Sequence, residues 1–134
     1  MGTVRGVSAT VTPSAVVDAF IAAIERLDLE GAIALLDPEV VYDNVPLSPV
    51  HGHDGVRATL GPFLAGCTAT EWRVLHQAVS GDVVINERVD RFLMAHGWVE
   101  LRVAGVFVLH DGKITLWRDY FDMAELTSAM TPPS

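Results

Sequence analysis

Asn86-Glu87-Arg88-Val89-Asp90-Arg91 lies inside the run Val83 to Met94, whose alternating residue types are those of a β-strand. Successive strand side chains point to opposite faces, so Arg88 and Asp90 share a face with Val84, Phe92 and Met94. A second block, Trp117-Arg118-Asp119-Tyr120-Phe121, belongs to the run Ile114 to Phe121 and sets Asp119 on one face with Thr115, Trp117 and Phe121. An arginine and two carboxylates can therefore meet on a sheet face that is otherwise largely apolar. Burying charge there is costly unless the charges pair, and such groupings concentrate where chemistry happens.

Around these blocks, Trp72 to Val79, Val83 to Met94, Val99 to His110 and Ile114 to Phe121 all read as strands. Their connections are Ser80-Gly81-Asp82, Ala95-His96-Gly97 and Asp111-Gly112-Lys113, the last a strong hairpin signal. Three successive hairpins make an antiparallel meander. Upstream, Thr12-Pro13 starts a helix whose apolar positions Val16, Val17, Phe20, Ile21, Ile24 and Leu27 recur at helical spacing to about Asp28. A short second helix spans Glu30 to Leu36 and is closed by Asp37-Pro38. Glu39 to Asn44 is a strand with Val40, Tyr42 and Asn44 on one face, and Val45 to Gly52 is a loop. Asp54 caps a helix over Gly55 to Leu64, stopped by Gly66, and Met123 to Met130 forms a closing helix. The layout is α+β: N-terminal helices packed over a curved antiparallel sheet that forms a cone around a pocket. Residues 1–11 are expected to be a flexible arm, 12–131 a single domain and 132–134 a tail.

The chain has 134 residues, half of them apolar, and no apolar run near the ~20 residues of a membrane helix. The apolar excess fits an internal pocket or a dimer face. Seventeen acidic against nine basic residues, a formal charge of -8, argue against nucleic-acid and anionic-membrane partners. The single Cys67 has no internal disulfide partner, and no signal-peptide pattern opens the chain, so the expected location is the cytoplasm. Cys67 reads as a small apolar residue. His51-x-His53 has no third ligand in pattern and reads as solvated, as do His76, His96 and His110. Glu87, Arg91, Glu100 and Arg102, on the outer face, read as ion pairs or a dimer rim, and Arg118 as a partner of an acidic residue outside the pocket.

If Tyr42 and Asn44 face the cone interior, the pocket holds a phenol, a carboxamide, Arg88, Asp90 and Asp119. Arg88 and Asp90 alone read equally as a surface ion pair; the matching parity of Asp119, Tyr42 and Asn44 turns the reading towards a site. An arginine between two carboxylates holds both in place, and a protonated and an ionised carboxyl together suit acid-base attack by water on a strained electrophile. Trp117 reads as pocket wall.

Tyr42-x-Asn44-x-Pro46-Leu47, Glu87-Arg88-Val89-Asp90, Gly105-Val106-Phe107 and Gly112-Lys113-Ile114-Thr115-x-Trp117-Arg118-Asp119-Tyr120-Phe121-Asp122 resemble the limonene-1,2-epoxide hydrolase family. That family belongs to the nuclear-transport-factor-2-like superfamily, and the resemblance runs from about Val11 to Met130. It implies that Asp119 is the general base on a water held by Tyr42 and Asn44, that Asp90 is the general acid, and that Arg88 bridges the two. It implies a vicinal diol as product, with no covalent intermediate, metal or cofactor, and a homodimer. Phe63, Cys67, Phe92, Leu101, Val103, Phe121 and Leu126 match the family's apolar pocket positions. The fold also hosts ketosteroid-isomerase-like enzymes, polyketide or epoxide-opening cyclases and non-catalytic cones that bind apolar ligands. An arginine wedged between aspartates fits an isomerase poorly, and a binding cone needs neither carboxylate.

Overall fold

The structure is a computed structural model and describes residues 11–132. The expected arm up to residue 10 and tail residues 133–134 lie outside the described residues. The elements are α1 (Pro13–Glu25), α2 (Leu29–Ile33), β1 (Leu36–Asn44), β2 (Val50–His51), α3 (Gly52–Ala65), β3 (Ala69–Ser80), β4 (Val83–Met94), β5 (Gly97–His110), β6 (Lys113–Tyr120) and α4 (Met123–Met130). One six-stranded sheet carries them in the order β2-β1-β6-β5-β4-β3.

The meander from β3 to β6 is antiparallel throughout, as the hairpin signals require. Asp111 and Gly112 both take positive φ, the backbone of the tight two-residue turn that joins His110 to Lys113. β1 then joins the far side of β6 in parallel, with Tyr42 beside Trp117 and Asn44 beside Asp119. Register shifts leave Leu75 of β3 and Thr115 of β6 as extra residues, the latter opposite the step from Val108 to Leu109 of β5, and such bulges bend the sheet. The concave face so made is filled by α1, which buries Val16, Val17, Phe20, Ile21 and Ile24, and by Val56, Leu60 and Leu64 of α3.

Several boundaries differ from the sequence reading: β3, β5 and β6 start one to three residues earlier than read, and four other differences have a local reason. α1 stops at Glu25, not near Asp28, because Leu27 turns into the left-handed region and frees Asp28 to cap α2, its carboxylate accepting from the Gly31 N–H at 3.0 Å. Asp37-Pro38 does not close a helix but lies within β1; the register slips between Leu36 and Val41, so the missing proline N–H costs no ladder bond. The loop from Val45 contains a two-residue strand, β2, paired with Val41 and Tyr42. α3 starts at Gly52, which puts Asp54 in its first turn, bonded to Arg57 at 2.8 Å, instead of at the cap.

Two of the histidines read as solvated are half-buried and hydrogen-bonded into the fold. His53 Nε2 bonds the Leu36 carbonyl at 2.9 Å and ties α3 to β1, while His96 Nε2 bonds the Ala129 carbonyl at 3.1 Å and ties the β4–β5 turn to α4. Arg118 pairs with Asp43 at 2.8 Å on the outer face, as expected. Among the described residues no helix is long and apolar enough to cross a membrane.

Candidate active site

The strand parity read from the sequence is the one the structure adopts. Arg88, Asp90 and Asp119 all face the concave side and are nearly inaccessible, at 1%, 3% and 5% exposure. β4 supplies the first two; β6 supplies Asp119, two strands away and opposite Gly105 of the intervening β5. Arg88 bridges that gap. Its Nε and Nη2 donate to Asp90 Oδ1 and Oδ2 at 2.9 and 3.0 Å, and the same Nη2 donates to Asp119 Oδ2 at 3.0 Å.

The guanidinium lies across Gly105. A Cβ built there would sit 2.4 Å from Arg88 Nη1 and 3.0 Å from Asp119 Oδ1, so no other residue leaves room for the bridge. The Trp72 ring packs against the cation from β3, 4.7 Å from its central carbon. Asn86, buried two residues before Arg88, accepts from Nη1 at 3.0 Å.

The two carboxylates are not equivalent. Asp90 has both oxygens engaged by the arginine, whereas Asp119 Oδ1 is buried with no hydrogen-bond partner among the described residues. Burial pushes the Asp90 pKa up to about 6, although Arg88 pulls the other way; the charges of Asp119 and Glu25 add to the rise. Burial also works against the Arg88 cation, but Asp119 and Asp90 more than offset it and hold the guanidinium charged. The Tyr42 phenol is raised well above its ordinary range by burial and by Asp119, so it stays a neutral donor.

A cavity of about 170 Å³ opens beside this trio. Tyr42, Asn44, Asp90 and Asp119 line its polar end, and Phe63, Phe92, Leu101, Val103, Phe121 and Leu126 line its walls, where the resemblance put them. Leu47, Thr59, Leu60 and Trp72 line it as well and escaped the sequence reading. Two expected wall residues are elsewhere. Trp117 is fully buried behind Tyr42, their rings stacked at 3.8 Å and 7°, because the parallel register of β1 and β6 sets them side by side. Cys67 is turned back on α3, its thiol donating to the Leu64 carbonyl at 3.4 Å.

A family model for the limonene-1,2-epoxide hydrolase catalytic domain matches residues 11–131. The chain belongs to this family. Epoxide hydrolase EphG of Mycobacterium tuberculosis is 37% identical over 111 residues, which is 82% of this chain and 73% of EphG. A solved structure of a limonene-epoxide-hydrolase-like epoxide hydrolase from M. tuberculosis superposes with a TM-score of 0.73 at 34% identity, covering 86% of each chain. An NTF2-like protein of unknown function from Burkholderia pseudomallei superposes at 0.79 with 23% identity, over 91% of this chain and 99% of that one. The last likeness shows the cone fold alone. In this limonene-1,2-epoxide hydrolase family member the fold, the buried trio and the cavity therefore occur together.

Proposed function

We propose that this chain is an epoxide hydrolase that adds water to a lipophilic epoxide in one step, giving a vicinal diol. The observation that carries the reading is the shared Nη2 of Arg88, which joins the two carboxylates while leaving Asp119 Oδ1 unpaired. Asp119 Oδ1 takes a proton from water as the water oxygen attacks an oxirane carbon. The carbon–oxygen bond breaks, and the oxirane oxygen takes the proton held by Asp90. Tyr42 and Asn44 orient the water, the phenol as donor and the carboxamide as donor or acceptor. The proton returns from Asp119 to Asp90 through solvent, so both sides balance without a metal or cofactor. Family membership supports the same reaction.

Beyond the acid-base set, the cavity lining is hydrocarbon apart from the Thr59 hydroxyl and the Trp72 indole N–H, which favours a substrate polar only at its oxirane. The enzyme acts in the cytoplasm as a homodimer; the outer sheet face, with Ile85 half exposed and Tyr120 nearly so, supports self-association. The test is diol formation from limonene oxide, cyclohexene oxide and a bulkier terpenoid epoxide. Asp90→Asn and Asp119→Asn are each expected to lose about 100- to 10,000-fold in kcat. Turnover of these epoxides at the parent rate by both variants would refute the assignment, and a parent enzyme inert on all three would point to a cyclase or a binding cone.

A further inference from the structure

Arg88 Nη1 is held by a side chain that has no part in the acid-base scheme. Asn86 Oδ1 accepts from it at 3.0 Å, Asn86 Nδ2 donates to Gln77 Oε1 at 3.1 Å, and Gln77 Nε2 donates to Asp18 Oδ1 at 3.1 Å. The three links run from the buried guanidinium across β4 and the edge strand β3 to the exposed face of α1. The chain has a direction. A carboxylate only accepts, so Asp18 requires the Gln77 amino group to face it, which turns the Gln77 carbonyl to Asn86. Asn86 must then give its amino group to Gln77 and its carbonyl to Arg88. With Asn86 reversed, two donors would meet at Nη1 and two acceptors between the amides; with Gln77 reversed, two donors would meet between the amides and two acceptors at Asp18.

Occupation of Nη1 sets the asymmetry of the site. Nη1 lies close to the space Gly105 leaves open, and Asp119 Oδ1 borders that same space. A guanidinium free to turn would offer Nη1 to Oδ1 and pair the one oxygen left for water. We propose that Asn86 and Gln77 form a positioning relay, oriented from Asp18, that locks the Arg88 guanidinium towards Asp90 and keeps Asp119 Oδ1 unpaired. The inference rests on the acid-base reading above. Asn86 and Gln77 touch no reacting atom and act through Arg88.

The test compares Asn86→Leu, which removes the acceptor and keeps the branched shape, with Asn86→Asp, which keeps an acceptor at Nη1. Two readouts are taken: kcat and KM for an epoxide across pH, and the titration of Asp90 followed by its side-chain carboxyl ¹³C resonance. Asn86→Leu is expected to lower kcat about tenfold or more, the equivalent of one lost buried hydrogen bond, with KM little changed. Asn86→Asp should keep most of kcat. Its added carboxylate joins Asp119 and Glu25 around Asp90, with Arg88 the only facing cation among the described residues, so the Asp90 titration moves to higher pH. Should Asn86→Leu fail to fold, Gln77→Leu on the edge strand is expected to repeat the kcat loss at smaller size, and Gln77→Glu, which still offers Asn86 an acceptor, to spare it. Equal losses in the Leu and acidic variants, a parent rate in both Leu variants, or an unmoved Asp90 titration in Asn86→Asp would overturn the relay. Because the ¹³C titration needs no turnover, a relay intact in an enzyme that opens no epoxide would count against the proposed reaction only.

Discussion

Arg88 and Arg91 stand three residues apart on β4, and each holds two carboxylates, but they do so on opposite faces of the sheet. Arg88 is sealed inside with Asp90 and Asp119; Arg91, on the outer face, bonds Glu71 at 2.6 Å and Glu100 at 2.9 Å with its partners half in water. The partners' pKa values diverge accordingly. Outside, the hydrogen bond from Arg91 is the largest influence and lowers Glu71. Inside, burial is the largest influence and raises Asp90 to about 6 despite its arginine. One residue pattern thus gives a solvated ion pair on one face and, on the other, a carboxyl able to keep its proton near neutral pH. Desolvation, not the identity of the partners, makes the difference.

The largest break in that comparison is catalytic. Asp119→Asn is expected to cost about 100- to 10,000-fold in kcat, while Glu100→Gln on the outer face leaves the rate unchanged; steady-state kinetics on one epoxide reads both. Next is stability. Arg88→Met leaves two buried carboxylates without their cation and is expected to cost about 3–5 kcal/mol in urea unfolding, whereas Arg91→Met should shift the midpoint little, as exposed pairs do. Gly105→Ala comes third: its methyl group displaces the Arg88 guanidinium, with an expected cost of about 1–3 kcal/mol and a fall in kcat.

The smallest effect is a slope whose sign differs between the faces. Asp90 binds its proton more tightly folded than unfolded, so its contribution to stability is fullest below 3.8 and is lost as pH rises to about 6. Glu71 is lowered from 4.5 in the folded state, so its contribution is present above that value and is lost as pH falls. Asp90→Asn and Glu71→Gln should therefore tilt the stability-versus-pH curve in opposite directions, measured by thermal unfolding between pH 3 and 7.

Much of the site was legible because a strand has period two. Residue spacing placed Arg88 with Asp90, and Tyr42 with Asn44, and the hairpin turns put the strands of Arg88 and Asp119 in one sheet. The parallel join of β1 to β6 carries no local signal, and it is this join that stacks Trp117 behind Tyr42 instead of leaving it in the cavity wall. Leu60 and Thr59 reach the cavity only through the docking of α3, which spacing along the helix does not specify. Asn86 was within reach: it lies two residues before Arg88 on the same strand and so had to face the same buried cation.

The most direct measurement is a single turnover of epoxide in oxygen-18 water with enzyme in excess. Water activated at Asp119 Oδ1 must deliver the label to the diol in that first cycle and leave the protein unlabelled. Unlabelled diol from the first cycle, with the label found afterwards in a carboxylate of the enzyme, would mean that an aspartate itself attacks the epoxide, and would contradict the assignment of Asp119 as base.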